Sequence, residues 1–288
     1  MTSIRGLWHA TAMARDYGAL LGPLQRLFGA VVLHDHVSEE PAVGRRGGMV
    51  WLGDNSIEIG APVGPRSPVR RFVDEWGGGM HSLAVGVEDA AATRGRLAEL
   101  GVQPAAFVSD DIFFTRPADT AGVLLEWSAM LTDDDPRAGA SLAPLATPAV
   151  VEVEQYAFIS AVVSDPPAVA SRLAQLFGTD VRRLVPDATP ERIAAIVSLV
   201  DCLVVLFPMA PAGSPHPLWG RPVARPRLHG QGLRVADLDK ARAALATHGI
   251  EAVAEIEGLV LLDPSALPIP TFLCEELLPE DPRREAAS

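Results

Sequence analysis

Cysteine is scarce. Cys202 and Cys274 are the only two in 288 residues, both lie in apolar runs, and no C-x-x-C pair occurs. That excludes a disulfide scaffold and a cysteine-built zinc site, and both residues read as buried thiols. A basic stripe is also missing. The formal net charge is −12 with arginine scattered along the chain, so nothing is placed to neutralise a row of phosphates and nucleic acid is not an expected partner. Met1–His9 has no apolar h-region, and a cytoplasmic protein is expected. The longest apolar run, Ile193–Ala212, is interrupted by Asp201 and Pro208. Val200-Asp201-Cys202 reads as a turn between two buried strands, so no membrane partner is expected. Charged residues make up 21% and hydrophobic residues 48% of the chain, which is enough apolar material for about two globular domains.

What is present is a repeat. Four times a strand ends at Asp, a helix follows, and Gly closes it. The markers are Asp16 and Gly29, Asp89 and Gly101, Asp165 and Gly178, Asp237 and Gly249. Asp at a helix N-cap accepts a hydrogen bond from an otherwise orphaned amide, and Gly just past the helix adopts the left-handed conformation that ends it. Pro23 predicts a break or a late start in the first helix. Leu27-Phe28-Gly29 recurs as Leu176-Phe177-Gly178 at an offset of 149, and Leu97 and Gly101 recur as Leu245 and Gly249 at an offset of 148. Two landmarks at nearly one offset predict a duplicated domain. Shorter apolar runs separated by turns follow each helix, so each unit is β-α-β-β-β. The fold class predicted is α+β. The domains span 1–132 and 150–279, each with two paired units forming a curved mixed sheet, joined by a linker over 133–149 and followed by an acidic tail over 280–288.

Four polar residues interrupt apolar strands: His9 and His81 in the first strands of the first two units, Glu58 and Glu126 in the last strands of the same units. If the two units pair about a pseudo-twofold axis, the four side chains converge inside the curved sheet. Two imidazoles and two carboxylates suit a divalent ion such as Co, Zn, Ni, Mn or Fe, with water completing the sphere. A carboxylate in an apolar strand without such a partner is costly.

This pattern resembles the vicinal oxygen chelate superfamily, which includes glyoxalase I, extradiol dioxygenases and antibiotic-resistance proteins. Ile57–Asp89 and Phe114–Trp127 are most similar to methylmalonyl-CoA epimerases, and the resemblance covers residues of about 4–130. It implies an isomerase acting on an acyl-CoA or a small keto acid, in which a metal polarises a carbonyl and Glu126 and Glu58 exchange the neighbouring proton. One departure is Glu58, where the epimerases carry Gln and glyoxalase I carries Glu. The alternatives are a glyoxalase-type lyase, an extradiol-type dioxygenase, and a non-catalytic binder of small molecules. The dioxygenases usually hold their iron in the C-terminal domain, whereas the full set here is N-terminal.

Carrying the four positions into the second half gives Phe158 for His9, Val204 or Val205 for Glu58, His229 for His81, and the neighbourhood of Thr271 for Glu126. A metal is not expected there, and His229 reads as a solvated or hydrogen-bonded remnant. The proline-rich stretch Pro211–Pro226, with Trp219, reads as a long ordered loop able to act as a lid. Glu39 and Glu40 are further candidate bases, Arg45, Arg46, Arg70 and Arg71 candidate anion contacts, and His34 and His36 a weaker ligand pair. Whether units pair within one chain or across a homodimer stays open.

Overall fold

The computed structural model describes residues 4–38, 44–139, 148–267 and 269–286. The first half runs β1 (Ile4–Ala14), α1 (Tyr17–Phe28), β2 (Val31–Ser38), β3 (Arg45–Leu52), β4 (Asn55–Pro62), α2 (Arg70–Trp76), β5 (Gly78–Val87), α3 (Ala90–Glu99), β6 (Pro104–Phe107), β7 (Ile112–Thr115) and β8 (Leu125–Ser128). The second half runs β9 (Val153–Val163), α4 (Pro166–Phe177), β10 (Val181–Leu184), β11 (Ala195–Ser198), β12 (Leu203–Pro208), β13 (Arg227–Val235), α5 (Leu238–Ala246), β14 (Ala252–Ile256), β15 (Leu259–Leu262), β16 (Thr271–Cys274) and α6 (Pro282–Ala286).

The described strands form two sheets of eight, in the orders β2-β3-β4-β1-β5-β8-β7-β6 and β10-β11-β12-β9-β13-β16-β15-β14. The two orders are the same pattern. In each, a unit's first and last strands pair in parallel, and its neighbour joins antiparallel through β1–β5 or β9–β13. The paired units therefore belong to one chain. No helix among the described residues is long and apolar enough to cross a membrane.

Local chemistry accounts for the helices. The Asp16, Asp89, Asp165 and Asp237 carboxylates accept from the amides of Gly18, Ala92, Ala168 and Lys240, a capping bond worth about 1 kcal/mol each. Gly29 and Gly178 follow α1 and α4 at φ of 67° and 68°. The break expected at Pro23 does not occur: α1 continues through it, with Leu20, Leu24, Leu27 and Phe28 buried beneath the helix. Tertiary burial at about 1.5–3 kcal/mol per large apolar side chain outweighs the one missing helical hydrogen bond.

Strand alternation divides each sheet. In the first, Ala10, Ala12, Ile57, Ile59, Leu83, Val85, Leu125 and Trp127 join the main core that holds α1, and that core continues into the second half through Leu173, Phe177, Leu206 and Leu233. The residues between them, including His9, Thr11, Glu58 and Glu126, face the opposite, inner side. Cys202 and Cys274 are buried free thiols.

The stretches expected as linker and tail are partly structural. Asp135-Pro136-Arg137 closes the first half onto β1: the Arg137 guanidinium donates to the Leu7 and Trp8 carbonyls at 2.9 and 2.6 Å and to Asp135. Asp281-Pro282-Arg283 does the same for β9, with Arg283 donating to the Tyr156 and Ala157 carbonyls at 3.1 and 3.3 Å and to Asp281. The halves also meet directly. The Leu7 amide donates to Asp201 at 2.8 Å, the Tyr156 amide to Asp54 at 2.7 Å, and Arg172 to the Leu100 carbonyl at 3.0 Å.

Candidate metal centre

Register brings the site together. Parallel pairing sets Thr11 of β1 beside Glu58 of β4. Antiparallel pairing sets His9 beside Ala84 of β5, and Ala84 pairs with Glu126 of β8. The β1–β5 register shifts between Thr11/Ser82 and Ala12/Met80, leaving His81 as the extra residue of a bulge. A bulge re-aims side chains locally, and here it leaves His81 beside Ser82, with Nδ1 3.4 Å from the hydroxyl.

The His9 Nε2 atom lies 4.0 Å from Glu58 Oε2 and 3.8 Å from Glu126 Oε2. Both carboxylates are buried, at 9% and 7% exposure. Glu58 is anchored twice more, by an ion pair with Arg45 and by the Thr11 hydroxyl at 3.2 Å. Burial lowers the His9 pKa, but the charge and hydrogen bond of Glu126 and the charge of Glu58 outweigh it, so the net shift is upward. His81 behaves oppositely. Burial, helped by Arg45 and Arg227 and opposed by Glu58, pushes it down to about 4, so it is neutral at physiological pH, the form that binds metal. Its ring meets Phe72 edge-on, with centroids 4.8 Å apart.

Of the four expected ligands, then, His9, Glu58 and Glu126 are gathered within 4.0 Å of a shared centre on His9. His81 borders the same inner face and couples electrostatically to Glu58. Among the described residues no three His, Cys, Asp or Glu side chains stand close enough to hold an ion as placed. Ligand atoms around a tetrahedral or octahedral ion bonded at about 2.1 Å are about 3–3.4 Å apart. The His9 separations exceed that by less than about 1 Å, a distance side-chain rotation covers. The donor chemistry fits a divalent cation. Arg45, whose buried Nε lacks a hydrogen-bond partner among the described residues, pairs with Glu58.

The other candidates lie elsewhere or are engaged. His34 pairs with Asp134 at 2.6 Å, and Arg46 pairs with Asp35 and stacks over Tyr17. Arg70 donates to the Gly64 carbonyl, and Arg71 lies 3.9 Å from Glu75. Of the four arginines singled out in sequence, Arg45 is the one at the carboxylates. Glu39 and Glu40 lie outside the described residues. Sequence reasoning missed Thr11, which anchors Glu58, and Arg227, whose charge reaches His81 from the second half.

The equivalent cup of the second half is filled. Ser160 pairs with Val205, as Thr11 does with Glu58. Gly232 pairs with Phe272, as Ala84 does with Glu126. Register thus puts Phe158, Val205 and Phe272 at the places of His9, Glu58 and Glu126, so the last equivalence, expected near Thr271, falls on Phe272. All three belong to an apolar cluster with Phe207, Leu218 and Trp219. The proline-rich loop expected as a lid delivers Leu218 and Trp219 into that cluster. His229 is not solvated: it is 4% exposed, lies against Trp219 with ring centroids 3.3 Å apart, and its Nδ1 has no hydrogen-bond partner among the described residues.

No family model matches the chain, and no curated protein matches it. Solved structures do. A mutant of 4-hydroxymandelate synthase from Streptomyces coelicolor aligns with a TM-score of 0.66 and 13% identity, over 99% of this chain and 100% of that one. Methylmalonyl-CoA epimerase from Mycobacterium tuberculosis aligns with a TM-score of 0.40 and 24% identity, over 44% of this chain and 89% of that one. With two sheets of one strand order and a full-length likeness to the synthase, the chain has the two-domain vicinal oxygen chelate fold.

Proposed function

We propose that the inner face of the N-terminal sheet is the active site of a divalent-metal-dependent isomerase that moves a proton next to a carbonyl. The observation that carries this reading is His9 standing between two buried carboxylates, within 3.8–4.0 Å of each. His9, His81 and Glu126, joined by Glu58, are the residues that would hold the ion. A bound divalent cation supplies Lewis acidity, which makes a C–H beside a polarised carbonyl easier to ionise. Glu126 is the base of choice. It sits between Leu125 and Trp127 on a buried strand, with its carboxylate 3.8 Å from His9 Nε2. Glu58 is tied to Arg45 and Thr11, so it orients more than it exchanges. Its release from Arg45 would give the second base that inversion at carbon requires.

The test is deuterium exchange from solvent into methylmalonyl-CoA by protein loaded with Co²⁺ or Mn²⁺. Exchange that Glu126→Gln abolishes supports the reading, and the absence of exchange and epimerisation rejects this substrate.

The Arg45–Glu58 ion pair favours a second reading. If it persists, the set reduces to His9, His81 and Glu126, two imidazoles and one carboxylate, the ligand type of non-haem Fe²⁺ oxygenases. Substrate-dependent oxygen uptake by the Fe²⁺-loaded protein, without proton exchange, would select it.

A further inference from the structure

Beside His81 a cavity of about 510 Å³ opens between the two halves, walled by Phe72, Trp76 and Leu124 from the first and by Pro226 and Arg227 from the second. Its lining is mostly apolar, with His81, Arg225 and Arg227 as its charged or titratable members. The half-buried Arg227 guanidinium lies over the Phe72 ring at 5.3 Å and the Trp76 ring at 4.6 Å. Among the described residues its acceptors are two carbonyls, Leu228 at 3.1 Å and Gly78 at 3.4 Å. The acid whose charge it feels, Glu75, is paired with Arg225. Burial and the charge of Arg221 lower its pKa to about 10, which leaves it cationic at neutral pH. Approach of the second half is allowed by the glycine run before His81: a Cβ on Gly79 would stand 3.2 Å from the Arg227 guanidinium, at a φ of +112° that L side chains rarely adopt.

We propose that Arg227 is the anion-recognition residue for the substrate of the N-terminal site, and that this substrate is an organic acid whose carboxylate pairs with the guanidinium while its apolar body lies against Phe72, Trp76 and Leu124. The assignment rests on the reading of the N-terminal cup as the active site and gives its substrate a class. A guanidinium on aromatic faces, without a carboxylate partner among the described residues, offers its N–H fork to a planar carboxylate. A single such cation suits a monoanion better than a phosphate dianion, because Arg225 at the cavity rim is already spent on Glu75. The C-terminal half thereby completes a site whose chemistry lies in the other half.

Binding can be tested without metal or turnover, so its outcome is separate from that of the exchange assay. The probes are 3-phenylpropionate, its neutral amide and phenyl phosphate, titrated calorimetrically into the full chain. The acid is expected to bind about tenfold more tightly than the amide, a difference of about 1.4 kcal/mol. Arg227→Gln should erase that preference, Arg227→Lys should retain part of it, and Arg225→Gln should leave it intact. As a measurement independent of any variant, the acid but not the amide should slow phenylglyoxal modification of Arg227 in the wild-type protein, read by mass spectrometry. Equal affinity for acid and amide, an undiminished preference in Arg227→Gln, or unprotected Arg227 would overturn the proposal. Tighter binding of phenyl phosphate would overturn the carboxylate assignment.

Discussion

His9 of the first strand and Glu126 of the eighth meet across β5, Nε2 to Oε2 at 3.8 Å, with Glu58 Oε2 4.0 Å from the same nitrogen. Neither contact is local in sequence. Both depend on β1 pairing with β4 on one edge and β5 on the other, so the site exists only when the two units of the first half have closed on each other.

Replacing the shared histidine should therefore undo ion binding more than folding. His9→Ala is expected to weaken Co²⁺ or Mn²⁺ affinity by at least about a hundredfold, more than the loss of an outer partner costs. Titration calorimetry measures this, and an unchanged affinity would remove His9 from the ligand set. Arg45→Met should act the other way, raising affinity about tenfold by releasing Glu58 from its competing cation. No gain there would favour the three-ligand reading.

Asp201 gives a pH signature to the junction between the halves. Burial raises its pKa to about 6, against the opposing pull of the Leu7 amide and the charges of Arg283 and Arg137. Because the folded value lies above the unfolded one, the folded chain binds the proton more tightly. Stability from this group is thus greatest below about pH 4, falls as pH rises to about 6, and is level above. Asp201→Asn keeps an acceptor for Leu7 and removes the ionisation. Its stability relative to wild type should rise by up to about 3 kcal/mol between pH 4 and pH 7, followed by urea midpoints. A constant difference across that range would show that the carboxylate is not desolvated.

Much of this arrangement was legible in the sequence, and the legible parts share a cause. Asp89, Asp165 and Gly178 mark helix ends by chemistry within a few residues, so they could be read one position at a time. The four polar residues stand out because polar side chains at matching places in two repeats are hard to explain singly, and His9, Glu58 and Glu126 do meet. What could not be read comes from contacts between distant strands. The bulge at His81 and the choice of Phe272 within the neighbourhood of Thr271 follow from register, and Arg227 reaches the cavity only through the packing of one half on the other. Pro23 misled because helix propensity is a local preference, which burial of Leu20, Leu24 and Leu27 overrides. The repeated Asp-Pro-Arg, at residues 135–137 and 281–283, was a signal available and unused.

The filled second cup predicts a clean separation of effects. Trp219 is 5% exposed and packs against Phe207, His216 and His229. Trp219→Ala should cost about 3–5 kcal/mol of stability through the space it leaves, while the Co²⁺ affinity of the first cup stays within about twofold. Calorimetric unfolding with a parallel metal titration checks both, and a large loss of metal affinity would show that the cups are coupled.

The two arginine closures should weaken in parallel. Arg137→Ala and Arg283→Ala each strand buried strand carbonyls and a buried Asp, at 3% exposure for Asp135 and 1% for Asp281, so each is expected to cost about 2–4 kcal/mol. Burial raises the Asp135 pKa, but hydrogen bonds and charge from Arg137 override it and hold the net value below the usual carboxylate range. Its contribution is therefore present at neutral pH and disappears on acidification below about pH 4. Chemical denaturation at pH 3 and pH 7 measures both effects, and equal losses for Arg137→Ala at the two pH values would contradict the account.

Because each half carries its own Asp-Pro-Arg latch, each is a finished, self-fastening module and not an open one. One interior can therefore hold an aromatic plug while the other holds acids and imidazoles. On the reading proposed for Arg227, the plugged half would still have work to do: its outer rim would set which molecules reach its neighbour, a role open to change without touching the polar groups of the first cup.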